Sequence, residues 1–319
     1  MKFKLATAIS AAVLLYPVLS WGFVLTSGEI LISNHGGSNV QLLDPTTGIV
    51  SSLVNVPGTP IGLAFDTSFN LYINVNNGIM KYDKNTDALT TLFTGVGQRE
   101  GLAFDTKSAH LFSVSFGANR IEEVDLAGNL VRTITIPGSS QLLGISARNG
   151  TLVVTDFGAG KTYLSTDGGN TFGLVGSTSP GNTYAPDIDS SGDIFVNDFA
   201  QGKTVEFVPL GGGLYSKLDF ITGLSAPANG LSIGDDGSFT ISEFGANAIS
   251  IWNSDATLRH RFSGVQFPDE LVVFAPVRQG GGDGGGGGGG GIPEPATLVL
   301  FGAGFVALVG FRWLKSQRA

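Results

Sequence analysis

The sequence predicts an all-β fold, a six-bladed β-propeller, on three observations. A seven-residue phrase returns six times: GEILISN from Gly28, NLYINVN from Asn70, AHLFSVS from Ala109, GTLVVTD from Gly150, GDIFVND from Gly192 and GSFTISE from Gly237, at steps of 42, 39, 41, 42 and 45 residues. Strand-length segments separated by Gly, Asn and Asp turns fill the intervals, and periods of about 40 to 50 residues with four such segments are those of propeller blades. Between Val24 and Val277 no stretch holds apolar residues at helical spacing without glycine or β-branched interruption.

Each strand of the unit has its own signature. The inner strand comes first, as in GLAFD at Gly62 and Gly101. The repeated phrase is the second strand; its centre, as in Ile30 to Ile32 and Ile194 to Val196, is apolar on both faces and so must be covered on both, between neighbouring blades. A third strand alternates, as at 120–125 and 248–252, and a Gly, Asn and Asp turn leads to a fourth such as 130–136. A leftover apolar strand at 271–274 is expected to supply the inner strand of the blade that begins at Gly28, because a ring removes its edges only if first and last segments share a blade. Residues 21–25 compete for that place.

These units resemble NHL repeats, with SFGANRIEEVDLAGNL from Ser115 and GLAFD at Gly62 and Gly101 carrying the likeness. Ser165, Asp167, Gly169, Thr171 and Phe172 form the SxDxGxTF pattern of an Asp box, which is similar to the turn found in sialidase propellers and falls where a third-to-fourth strand turn is due.

The 319 residues include 48 glycines, 22 phenylalanines and no cysteine, a β-rich composition with many tight turns and no possible disulfide, thiolate metal site or thiol nucleophile. Lys2 and Lys4 precede an apolar run over 5–19 that reads as a secretory signal peptide within 1–22, with a retained anchor as the alternative. The propeller is expected over 23–278. Residues 279–291 form a glycine-rich linker whose lack of side chains leaves nothing to offset ordering entropy.

Residues 292–319 hold Pro293, Glu294 and Pro295, a 16-residue apolar stretch over 296–311, and a basic tail with Arg312, Lys315 and Arg318. That order resembles the PEP-CTERM sorting signal. The resemblance implies a transmembrane helix used for transient inner-membrane anchoring, recognition of Pro293, Glu294, Pro295 and Arg312 by an exosortase in an exopolysaccharide-producing Gram-negative bacterium, and delivery to the cell surface or medium. Between the two ends 13 basic and 25 acidic residues remain, a balance of −12 that speaks against nucleic acid as a partner.

Three sets of residues are candidates for chemistry. Asn34, Asn76, Asp156, Asp198 and Glu243 end five of the second strands, and ring symmetry would place them on one ligand-binding face; the alternative is that they cap the following turns. The next position carries His35, Phe116, Phe157, Phe199 and Phe244, either packing between blades or a ligand platform. Glu100, Asp187 and Asn229 stand at the starts of inner strands, where oxygen donors suit Ca²⁺. The fragments around them resemble those of gluconolactonase-type propellers, although the order Glu, Asp, Asn differs from that family's Glu, Asn, Asp. The three histidines, His35, His110 and His260, have no zinc-ligand spacing.

The leading expectation is an extracellular binding module for a glycan, matrix polymer or protein, without catalysis. A Ca²⁺-dependent, lactonase-like hydrolase is the alternative, and a structural matrix protein is the third.

Overall fold

The computed structural model describes residues 25–178 and 182–274. The signal peptide, the glycine linker and the sorting segment with Pro293, Glu294, Pro295 and Arg312 lie outside the described residues. Among the described residues no helix is long and apolar enough to cross a membrane.

Twenty-four strands form six four-stranded antiparallel sheets, and the inner strands of these sheets follow one another round a closed ring. The inner strands of blades 2 to 6 are Pro60–Phe65, Arg99–Asp105, Leu142–Arg148, Thr183–Ile188 and Ala228–Ile233. Blade 1 takes its inner strand from the far end of the described chain: Pro268–Val273 pairs antiparallel with Ile30–Asn34, with Ile32 opposite Leu271. The strand at 271–274 thus closes the ring, because only there does it cover the open edge of Ile30–Asn34.

The apolar centres of the second strands serve two interfaces at once. In Ile30–Asn34 the side chain of Leu31 joins an apolar cluster with blade 2 through Leu63, Leu71 and Ile73, while Ile30 and Ile32 join one with blade 6 through Ile249 and Ile251. Six such clusters fill the six interfaces. Each fully buried Leu or Ile contributes about 1.5–3 kcal/mol, so the wedges are the main source of cohesion. Fourth strands such as Ala88–Thr94 and Leu258–Ser263 are largely exposed.

A register shift recurs in every inner strand, between Pro60 and Leu63, Arg99 and Leu102, Leu142 and Ile145, Thr183 and Pro186, Ala228 and Leu231, and opposite Ile32 and Asn34 in blade 1. The shift frees backbone groups that side chains of second strands then satisfy. Asn74 donates to the carbonyls of Glu100 (2.8 Å) and Gly101 (3.0 Å) in the next blade, and Asn197 donates to those of Asn229 (3.0 Å) and Gly230 (3.1 Å). Ser242 bonds the carbonyl of Asp269 in the same way. Glycine is needed at the shift because neighbouring inner strands touch there: a Cβ on Gly101 would lie 2.8 Å from the backbone of Leu143 and Ile145, and one on Gly230 would lie 2.7 Å from the Asp269 carbonyl.

The Asp box forms the turn between Lys161–Ser165 and Gly173–Ser177. Asp167 accepts from the amides of Asn170 (3.0 Å) and Thr171 (2.9 Å) and from the hydroxyls of Ser165 and Thr171, which together hold its carboxyl well below the usual carboxylate range. It is a turn clamp on the outer rim of blade 4.

Candidate ligand site at the channel mouth

Bulges re-aim side chains, and here one residue at each shift, followed by glycine in four of the six blades, comes to the inner rung of the ring, where Tyr184 and Asn229 meet Asp269. That position carries Ile61, Glu100, Leu143, Tyr184, Asn229 and Asp269 in blades 2 to 6 and 1. Four of the six are polar and buried: Glu100 is 6% exposed, Asn229 4%, Tyr184 7% and Asp269 1%.

Asp269 is the hub. Its Oδ1 accepts from the Tyr184 hydroxyl (2.8 Å) and from Asn229 Nδ2 (2.7 Å), and its Oδ2 meets His35 Nδ1 at 3.0 Å. The hydrogen bond with Asp269 raises the His35 pKa above its ordinary value of 6.5, against the desolvation that lowers it. Glu100 accepts from Gln98 Nε2. Desolvation, helped by the charge of Asp269, pushes the Glu100 carboxyl up to about 8. Glu270, the next residue along the channel, makes no side-chain hydrogen bond among the described residues, and burial together with Asp269, Glu100 and Asp187 drives its carboxyl far above the carboxylate range. Near neutral pH the Glu100 carboxyl is therefore largely protonated.

Of the proposed metal set, Glu100 and Asn229 share this mouth, whereas Asp187 does not. Blade 5 has Ala185 where blades 2, 3, 4 and 6 have glycine, and Asp187 lies two residues beyond it, in the cavity of about 270 Å³ at the opposite mouth. There it accepts from the Ser146 hydroxyl (2.8 Å) and the amides of Ile188 (2.8 Å) and Ile233 (2.8 Å). Among the described residues no three His, Asp or Glu side chains are arranged to hold a metal ion.

The residues that end the second strands are largely engaged within the protein. Asn34, Asp156, Asp198 and Glu243 are buried. Asp156 accepts from the amides of Ser140 (2.8 Å) and Gln141 (2.9 Å), Glu243 from the amide of Ser225 (2.7 Å), Asp198 from that of Gln201 (3.3 Å), and Asn34 donates to Asn39 (2.8 Å). They clamp loops, the role of turn caps. Asn76 is not their equivalent: register makes Val75, opposite Pro60, the counterpart of Ser115 opposite Arg99. The loop after Val75 holds only Asn76 and Asn77 before Gly78, whereas its equivalents hold four residues, as between Asn34 and Asn39 or Ser115 and Arg120.

That shortened loop opens the mouth. In blades 3 to 6 the first loop residue is Phe116, Phe157, Phe199 or Phe244, and the rings cover the channel: Phe157 meets Phe199 edge-on at 5.6 Å, and Phe199 stacks on Tyr184 at 5.4 Å. Blade 1 has His35 there, 46% exposed, and blade 2 lacks the position altogether. Over this gap lies a recess of about 410 Å³ lined by His35, Thr59, Ile61, Asn76, Asn77 and Gln98, together with Gly97. The signal for it in the sequence is the absence of Phe after the second strand in two successive units.

Comparison with known proteins agrees on fold and tail. Residues 291–315 match the PEP-CTERM protein-sorting motif. No curated protein matches the chain in sequence. The fold is similar to a chain of the crystallised nidogen/laminin complex (TM-score 0.69, 16% identity, 78% of this chain and 98% of that one). It is also similar to a Bacteroides caccae protein of unknown function (TM-score 0.61, 11% identity, 77% and 98%) and to virginiamycin B lyase from Staphylococcus aureus (TM-score 0.61, 14% identity, 80% and 88%). At these identities the likeness establishes the six-bladed propeller fold alone. The motif implies an exported protein, anchored transiently in the membrane and processed by an exosortase-type enzyme.

Proposed function

We propose that the propeller is an extracellular or cell-surface binding module whose ligand enters the recess over blade 2, and that the ligand is a glycan. The observation that carries this reading is the gap in the aromatic cover at His35 and Asn77, which gives access to a polar floor that the other four blades seal. Thr59, Asn76, Asn77 and Gln98 offer amides and a hydroxyl suited to the hydroxyls of a sugar, and Ile61 offers an apolar patch for its ring face. No catalytic step is required.

Glycan-array binding by the full-length chain tests it, with Asn77→Phe as the partner variant. Asn77 is exposed, so the new ring refills the gap without disturbing the core. Binding without turnover that is lost in N77F supports the module. Binding that survives N77F moves the site elsewhere, and no binding at all leaves a structural role in the matrix.

A second reading, the Ca²⁺-dependent lactonase-like hydrolase, gains one observation: with Asp269 in place of Asp187, the mouth residues run Glu100, Asn229, Asp269, the order of gluconolactonase-type propellers. It requires Asp269 to give up its bonds to His35 and Tyr184. Calcium titration of the full-length chain decides it; stoichiometric binding abolished by Glu100→Ala supports the hydrolase, and no metal effect ends it.

A further inference from the structure

Carboxyl groups outnumber basic groups at the mouth. Glu100 and Asp269 lie within electrostatic reach of one another, Glu270 and Asp187 add carboxyls in the cavity at the other mouth, and His35 is the basic group that faces Glu100 and Asp269. Tyr184 is the remaining titratable neighbour and is spent on Asp269. Neither lysine nor arginine lines the recess.

A second, independent observation is an unsatisfied acceptor. Asn229 is 4% exposed, its Nδ2 is committed to Asp269, and its Oδ1 has no partner among the described residues. A buried carbonyl oxygen left in this state costs about 1–3 kcal/mol unless a donor reaches it. The open valences at the floor are thus acceptors and acids, and what they lack is a cationic donor.

We propose that the mouth takes a ligand bearing an ammonium group on a hydroxylated body, of which an amino sugar is the simplest case. The ammonium sits between Glu100 and Asp269 and donates to Asn229 Oδ1, while the hydroxyls meet the amides of the recess. Phe157, Phe199 and Phe244 stand on the far side of the mouth, where ring faces favour a cation. A neutral sugar has no charge to set against the Asp269 carboxylate, and an anion brings no donor for the orphaned oxygen.

This inference rests on the mouth being the ligand site, and the test separates the two. Glucosamine, N-acetylglucosamine and glucose are titrated calorimetrically into the full-length chain near neutral pH. Glucosamine is expected to bind at least about tenfold more tightly than the two neutral sugars. Glu100→Gln and Asp269→Asn each remove the preference; E100Q stays neutral where the free protein is already protonated, so it preserves the fold. Equal binding of all three sugars, or a preference that survives both variants, overturns the cationic site while leaving the mouth as a glycan site. Array hits lost in N77F without glucosamine binding do the same. Silence in both assays overturns both.

Discussion

Tyr184 and Asp269 are 85 residues apart and stand on inner strands of blades 5 and 1, which are not neighbours, yet the phenol donates to the carboxylate at 2.8 Å. The bond therefore crosses the channel mouth instead of running around the ring. It exists because each inner strand is bulged at the same rung, turning one side chain per blade inward, and because the last strand of the ring returns to the first blade.

Tyr184→Phe removes this cross-channel donor and leaves Asp269 with Asn229 and His35. Hydrogen bonds to charged groups contribute about 1.5–3 kcal/mol, and the variant is expected to lose that much in urea unfolding. A loss below about 0.5 kcal/mol, the scale of an ordinary surface change, would show that the phenol is not engaged.

Stability is expected to fall as pH rises from about 5 to about 9. Glu100, with an ordinary value of 4.5, holds its proton up to about 8 in the folded protein, so the native state binds more protons than the unfolded chain across that window. His35, raised by Asp269, acts in the same direction: its contribution is whole below 6.5 and is lost as pH climbs through its folded value. The carboxyls held low by turn bonds, such as Asp167 and Asp255, act at more acid pH. A urea midpoint that declines in the wild type and declines less steeply in E100Q is the expected result. A flat or rising midpoint would contradict it.

Arg99 and Glu122 form a wholly buried ion pair within blade 3, at 0% and 1% side-chain exposure. Ser113 accepts from Arg99 Nη1 at 2.7 Å, and Arg120 also bonds Glu122. Glu122→Ala strands the guanidinium in the core, at a cost of about 3–5 kcal/mol, whereas replacing both partners by apolar residues of similar volume is far milder. Chemical denaturation of E122A and of the double variant R99M/E122L measures the difference; equal losses would place the pair in a solvated environment.

Much of the ring was legible because its pattern is forced by burial. Second strands covered on both faces have no polar alternation to hide them, and the Asp box names its own turn. The site was harder to read, for reasons that lie in particular residues. Asp269 escaped notice because its strand stands at the opposite end of the described chain from its blade, and Glu270 replaces the glycine that would have aligned it with Glu100 and Asn229. Asp187 was drawn in because Ala185 replaces the same glycine in blade 5, which left the register there free by two residues. Asn76 was matched to Asn34 because a two-residue loop, visible only in strand pairing, had slipped the phrase by one position. In each case the departure from the repeat is what builds the mouth.

The meeting of His35 and Asp269 depends at once on ring closure and on the electrostatics of the mouth, since the two residues are 234 apart in sequence and 3.0 Å apart in space. With only three histidines in the chain, the His35 imidazole can be followed by NMR through a pH titration of the wild type and of Asp269→Asn. A midpoint above 6.5 that drops in D269N is the predicted result. A midpoint at or below 6.5 in the wild type, unmoved by D269N, would mean that first and last strands do not share a blade and that the acidic mouth does not exist.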